Sequence, residues 1–238
     1  MTQSQLDAVR CGLIPEDNPP EFFAKHLSAY HALKKDAAGK SILEVGFGDG
    51  YGMNYLSDAA KEITGLDIAP DNIPLARAKY GKENLKFLHF DGYRFPFPDR
   101  SFDIVCSFQV IEHIPEGRLI EWLSEIKRVL KEDGSFYVST LNLESAQKPG
   151  ASYHKNQDHE KEFNASELEG LLEKVFGRVR MHGLHYSPGH RFFRRLKKWG
   201  LLRWNVVSGH FRQVGVKDFI IRPDNLRKSI DLFAVCRK

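Results

Sequence analysis

Residues 42–56, "ILEVGFGDGYGMNYL", set four glycines into the seven positions from 46 to 52, directly behind an apolar run. Such a run reads as a short buried strand, and its glycine-dense tail as a tight turn that lets backbone approach a neighbouring group closely. The next segment, 51–60, suits a helix. Strand, glycine turn and helix open a β-α-β unit, and the chain repeats the alternation. Short apolar runs recur at 62–68, 85–90, 102–108 and 135–140, with helical segments predicted at 71–80, 116–131 and 165–175. That order predicts an α/β fold with a mostly parallel sheet, helices on both faces and right-handed crossovers. A further helix is predicted ahead of the sheet at 21–37, where Phe22, Phe23, Leu27, Tyr30 and Leu33 fall near one face.

The turn discriminates among ligands. A dinucleotide fingerprint needs G-x-G-x-x-G, but starting at Gly46 puts Tyr51 in the last position and starting at Gly48 puts Met53 there. No Gly-Lys-Ser/Thr closes the turn as a P-loop requires. What stands is Glu44-x-Gly46-x-Gly48-x-Gly50, with a carboxylate two residues before the first glycine. A carboxylate there would repel a diphosphate and suits S-adenosylmethionine (SAM), whose ammonium and sulfonium are cationic. Asp67 ends the second strand 21 positions after Gly46, where an acidic side chain can accept ribose hydroxyls. Asp91, beside Gly92 in "HFDGY", could accept from an adenine amino group, and Ile68 and Tyr93 are candidate apolar walls. As a bland alternative, glycines after a strand simply permit a turn, and an Asp at a strand end caps the next helix.

Over residues 21–175 the sequence resembles the class I SAM-dependent methyltransferases of the type 11 group, through "ILEVGFGDGYG", "GLDIAP", "HFDGYRFPFPDRSFDIV", "FQVIEHI" and "IKRVLKEDGSFYVSTLN" in that order. The resemblance implies a Rossmann-like, seven-stranded sheet with its last strand antiparallel. Two closing strands near 177–186 and 229–238 fit that expectation, with an extra strand conceivable at "DFII". It implies SAM as cofactor, held by Glu44, Gly46, Gly48, Gly50, Asp67, Ile68, Asp91 and Gly92.

Methyl transfer to a hydroxyl needs a proton acceptor, and histidine suits that task near neutral pH. His113 follows the fourth strand in "QVIEHIP", and His159 lies in the polar stretch "NQDHEKEF". These are the expected catalytic residues, against the alternative that both only order loops. Small-RNA 3′-terminal ribose methyltransferases carry a similar Glu-x-x-Glu-His motif and a downstream His, which together hold Mg²⁺. Here the matching positions are Gln109, Glu112, His113 and His159. Gln109 removes a carboxylate that Mg²⁺ favours, so no metal is expected. Bacterial enzymes of glycan and small-molecule tailoring look similar through "STLN" and "NQDHEKEF".

Charge is uneven. The chain carries +4 overall, yet eleven Lys and Arg and no Asp or Glu fall between Lys174 and Lys217. Within that span "HRFFRRLKKWGLLRW" interleaves cations with aromatics; a helical lid packing its apolar side onto the core is expected, with an interfacial helix on anionic lipid or a stacking surface for RNA as the alternatives. As a lid, its cations could receive an anionic acceptor. The length fits one domain, 1–238, with an N-terminal helical extension at 1–39 and a basic insertion at 186–217. Three cysteines without paired spacing and an N-terminus with no secretory pattern lead to a cytoplasmic expectation. The expected activity is O-methylation of a small molecule or glycan precursor. RNA 2′-O-methylation and a SAM-binding module without catalysis are the alternatives.

Overall fold

The computed structural model describes residues 13–92, 94–147 and 153–238; Cys11, the opening stretch "MTQSQLDAVR" and the candidate wall Tyr93 lie outside the described residues. Eight strands form one sheet: β1 (Ser41–Val45), β2 (Glu62–Asp67), β3 (Leu85–His89), β4 (Phe102–Phe108), β5 (Leu130–Leu141), β6 (Arg178–Tyr186), β7 (Phe219–Arg222) and β8 (Asp231–Arg237). Their spatial order is β3-β2-β1-β4-β5-β8-β6-β7. The first five are parallel, and β8 runs antiparallel to both β5 and β6. The expected seven-stranded sheet therefore gains one strand. β7 pairs antiparallel with β6 from Gly183 to Tyr186 and covers what would otherwise be an open edge.

Alternation along each strand sorts side chains to two cores. Leu43, Val45, Val105, Phe136 and Val138 face α4 (Leu119–Val129) and α6 (Ala165–Glu173), whereas Ile42, Ile63, Ile104 and Tyr137 face α1 (Pro20–Lys34), α2 (Tyr51–Leu56) and α3 (Asn72–Tyr80). Helix α4 is strongly amphipathic, burying Leu119, Trp122, Leu123, Ile126 and Val129. It ends at Val129, two residues short of expectation, because β5 starts at Leu130 and reaches Ser135 through an irregular register against β4. At α6 the cap is Asn164, whose side chain accepts from the Glu167 N–H while Glu167 reaches back to the Asn164 N–H. A short helix α5 (Leu143–Ala146) follows β5, and α7 (Pro188–Lys198) and α8 (Asn205–Arg212) lie between β6 and β7. Among the described residues, no helix is long and apolar enough to cross a membrane.

Strand order reverses between β1 and β4, so the loops after them open a crevice at the carboxyl edge, where open α/β sheets bind ligands. Two glycines bring its walls together. A Cβ on Gly46 (φ 80°) would sit 2.5 Å from Val110 Cγ2, so the β1 turn packs directly on the β4 turn. A Cβ on Gly52 would lie 2.0 Å from Tyr30 Cε1, which presses α2 against α1. Gly52→Ala is expected to overpack this contact by about 1–3 kcal/mol and lower the melting temperature by roughly 3–10 °C, readable in a thermal melt.

Candidate active site

The β1 turn is built around acidic side chains. Glu44 sits on the α1 side of β1, fully buried, and accepts a 2.6 Å hydrogen bond from the Tyr30 hydroxyl at Oε1. Its Oε2 is buried with no hydrogen-bond partner. Burial pushes its carboxyl up to about 8; the Tyr30 hydrogen bond opposes this, and the nearby Asp67 charge adds to it. Asp67, at the end of β2, accepts from the Gly48 N–H at Oδ2 and from the Ala69 N–H at Oδ1, both at 2.8 Å. Burial raises its carboxyl too, against the hydrogen bonds from Ala69, Gly48 and Asn72. Two neighbouring carboxyls held up by burial are a site that a cation would relieve and a phosphate would worsen. SAM fits on that ground, with the unpartnered Glu44 Oε2 as the free acceptor.

The remaining cofactor candidates lie along the same edge. Gly46, Gly48 and Gly50 all have positive φ, and Gly50 heads α2. Ile68 is 60 % exposed although large and apolar, and a Cβ on Gly92 would lie 3.6 Å from its Cγ2. The two therefore form one apolar ledge after β2 and β3, with Asp91 exposed beside it.

The turn after β4 carries one candidate base, His113, and the loop before α6 carries the other, His159. Gln109 takes φ 58°, a conformation uncommon outside glycine, while its N–H donates to Ser139 O at 2.8 Å. His113 is exposed, with Nδ1 2.9 Å from Asp158 O. His159 stands edge-on to it with ring centroids 4.9 Å apart, so residues 46 positions apart in sequence form one pair. His159 Nδ1 lies 2.7 Å from Glu162 Oε1, and Glu162 is buried. Burial pushes the Glu162 carboxyl up, but hydrogen bonds from Tyr153 and His159 outweigh it and hold the group below its ordinary value. An ionised Glu162 fixes Nδ1 as donor and leaves Nε2 as acceptor. Glu112, His113 and His159 also offer three ligand-type atoms within 4.8 Å of one another, and Glu112 Oε2 is buried without a partner.

Sequence reasoning missed a second polar group beneath α1. Lys25, His26, Gln109, Ser139 and Asp231 line a small cavity beside the β4 turn. Lys25 pairs with buried Asp231 at 3.2 Å, and His26 Nε2 is buried with no partner. Burial, and then Lys25, depress the His26 imidazole to about 3, so it stays neutral. The signal was present: His26 lies four residues from both Phe22 and Tyr30, on the apolar face of the helix. Further along, a cavity of about 460 Å³ is lined by Arg191, Arg194, Arg222 and Lys228 together with His185 and Tyr186. It lies at the same carboxyl edge, because Leu141, Asp231 and Leu184 are paired across β5, β8 and β6 there.

Comparison with known proteins agrees with this geometry. The family model described as "Methyltransferase domain", type 11, matches residues 43–138. A "Probable S-adenosylmethionine-dependent methyltransferase" of Mycolicibacterium smegmatis is 38% identical over 152 residues, covering 64% of this chain and 57% of the relative. A "Fatty-acid O-methyltransferase" of the same organism is 35% identical over 127 residues, covering 52% of this chain and 46% of the relative. The chain thus spans about half the length of these curated relatives. Among solved structures, a SAM-dependent methyltransferase of Thermotoga maritima, described as a "possible histamine N-methyltransferase", superposes with a TM-score of 0.64 at 18% identity, over 91% of this chain and 90% of that one, which speaks for the fold. By its glycine turn and these matches, residues 43–138 of the chain carry a methyltransferase domain of the type 11 group, a family whose cofactor is S-adenosylmethionine, on the fold of the solved SAM-dependent methyltransferases.

Proposed function

We propose that this protein transfers a methyl group from SAM to an oxygen of a small molecule or glycan precursor that carries an acidic group. The observation that carries the acceptor half is the 460 Å³ cavity with its four cations at the carboxyl edge. Its size supports a small acceptor over a polymer such as RNA, and its charge supports an anion. The name of the fatty-acid O-methyltransferase relative supports oxygen as the accepting atom.

SAM, when bound, supplies a methyl group on a cationic sulfur. Glu44 and the turn of Gly46, Gly48 and Gly50 would hold its amino-acid end, Asp67 its ribose, and Ile68, Asp91 and Gly92 its adenine. In-line displacement gains most from holding the acceptor close and aligned, which falls to the β4 turn and α1. His159, oriented by Glu162, would receive the hydroxyl proton with His113 beside it. Turnover of radiolabelled SAM with paired phosphorylated and dephosphorylated acceptors tests this reading and separates it from a binding module without catalysis. Arg222→Glu with Lys228→Glu should raise the acceptor KM roughly tenfold or more while the SAM Kd stays unchanged. An unchanged KM rejects the acidic group.

A second reading has one observation in its favour. Glu112, His113 and His159 could hold a divalent cation, since their ligand atoms cluster within 4.8 Å. Exhaustive chelation distinguishes the two.

A further inference from the structure

We propose that the hairpin of α7 and α8 seats this protein on an anionic lipid surface. Helix α7 ends at Lys198, Gly200 turns the chain in the left-handed conformation (φ 81°), and a single 3-10 turn at Leu201–Arg203 leads into α8. Large apolar side chains crowd the outside of this hairpin. Phe192 is 55 % exposed, Trp199 69 %, Leu202 42 %, Trp204 54 % and Val206 73 %. Among the described residues, five of the eleven exposed large apolar side chains thus fall within residues 192–206, a concentration on one hairpin.

This concentration is not simply the hairpin's packing face. The hairpin already buries a different side: His190 and Val207 are buried, Phe193 stacks on His210 at 4.0 Å, and His190 Nδ1 lies 2.8 Å from His210 Nε2. Glu21 of α1 ties that side down through His190 at 3.2 Å and through Arg194. A lid closing on the core, the expectation from sequence, accounts for these inner residues and leaves the five outer ones unexplained.

Charge names the occupant. Phe192 and Trp199 are seven residues apart, two helical turns, and so share a face on which Arg195 also falls, with Lys198 flanking. No acidic residue interrupts the chain between Lys174 and Lys217. Tryptophans set among cations match the boundary between anionic headgroups and acyl chains. Single-stranded nucleic acid would also meet cations and aromatic rings, but Leu202 and Val206 offer no π face on which a base could stack. A lipid surface uses all five. The same hairpin is bound to α1, the helix that roofs the Lys25–His26 cavity, so the seat would hold the acceptor side of the enzyme toward the bilayer.

The test is co-sedimentation of the full chain with vesicles of phosphatidylcholine alone and with about 30 mol% phosphatidylglycerol, at about 100 mM salt. Two of the three tryptophans, Trp199 and Trp204, lie in the hairpin and the third, Trp122, is buried, so fluorescence reads the same event. Phosphatidylglycerol vesicles should bind at least tenfold more tightly than phosphatidylcholine and shift the emission to the blue. Trp199→Ser with Trp204→Ser, and separately Arg195→Glu with Lys198→Glu, should each cut partitioning at least tenfold. Both double variants should keep the melting temperature and the affinity for demethylated SAM. Equal partitioning into both vesicles, undiminished binding by either double variant, or binding of a single-stranded RNA oligomer without vesicle binding each overturns the proposal.

Discussion

Glu44→Gln is expected to weaken SAM binding about 100-fold and, in the same protein, to raise the melting temperature of the ligand-free form at pH 8 and above. The two effects have opposite signs because an ionised, buried Glu44 opposes folding but would attract the cationic end of the cofactor. Its folded carboxyl stands at about 8 against an ordinary 4.5, chiefly through burial. A group raised in this way favours the folded state fully below about pH 4.5, and its contribution is lost as pH rises to about 8. Glutamine carries no charge and has no such slope, so the variant gains on the wild type across that window, at about 1.4 kcal/mol per pH unit at most. Binding runs the other way. A ligand with ammonium and sulfonium charges selects the ionised carboxylate, so the SAM Kd should tighten with rising pH by up to tenfold per unit and level off above about 8. Calorimetry near pH 6.5 in two buffers of different ionisation heat should show a proton released on binding by the wild type and none by the variant. A wild-type Kd that stays flat from pH 6 to 8 would mean that Glu44 does not meet the cationic end of the cofactor.

Local chemistry was legible where one short segment settles the matter. The alternation of apolar runs with helical segments announced β1 to β5: β1, β2 and β4 are buried on both faces and read as continuous apolar stretches, while β3, at the sheet edge, buries only Leu85 and Phe87. The glycine turn and the carboxylates at Glu44 and Asp67 were legible for the same reason, since their spacing is set by one β-α-β unit. What stayed hidden depends on contacts between distant segments. The extra strand conceivable at "DFII" is β7, four residues long, and what stayed hidden is its partner, the edge that β6 offers. The pairing of His113 with His159 needs the loop before α6 to fold back over the β4 turn, held by the Glu160 and Lys161 N–H groups donating to Glu112 O. His26 and Asp231 lie 205 positions apart and meet at one cavity because β8 inserts between β5 and β6. The lid expected for the basic segment was half legible: helical spacing announced α7, but which apolar residues would be buried depended on where Glu21 and His210 meet it.

His159→Ala should lower kcat by roughly 10²- to 10⁴-fold while leaving the SAM Kd within about twofold of wild type, the signature of a lost proton acceptor. Glu162→Gln keeps the imidazole but removes the charge that fixes its Nδ1–H, so its loss should be smaller, roughly 10- to 100-fold in kcat. If Glu162 acts through His159, combining the two changes should cost no more than His159→Ala alone, because a residue that only orients has nothing left to orient. His113→Ala should fall between the single effects, since its ring abuts His159 edge-on and its own Nδ1 is engaged with Asp158 O. Exhaustive chelation separates this account from a bound cation. Gln109 stands where a further carboxylate would help hold a hard ion, and its amide is turned toward the Ser139 hydroxyl at 3.3 Å, so the rate is expected to survive chelation. A rate abolished by chelator and restored by Mg²⁺ or Mn²⁺ would instead make Glu112, His113 and His159 the ligands of a divalent ion. The large loss in His159→Ala would then report a missing ligand, and Glu162→Gln would act by loosening that ligand's ring.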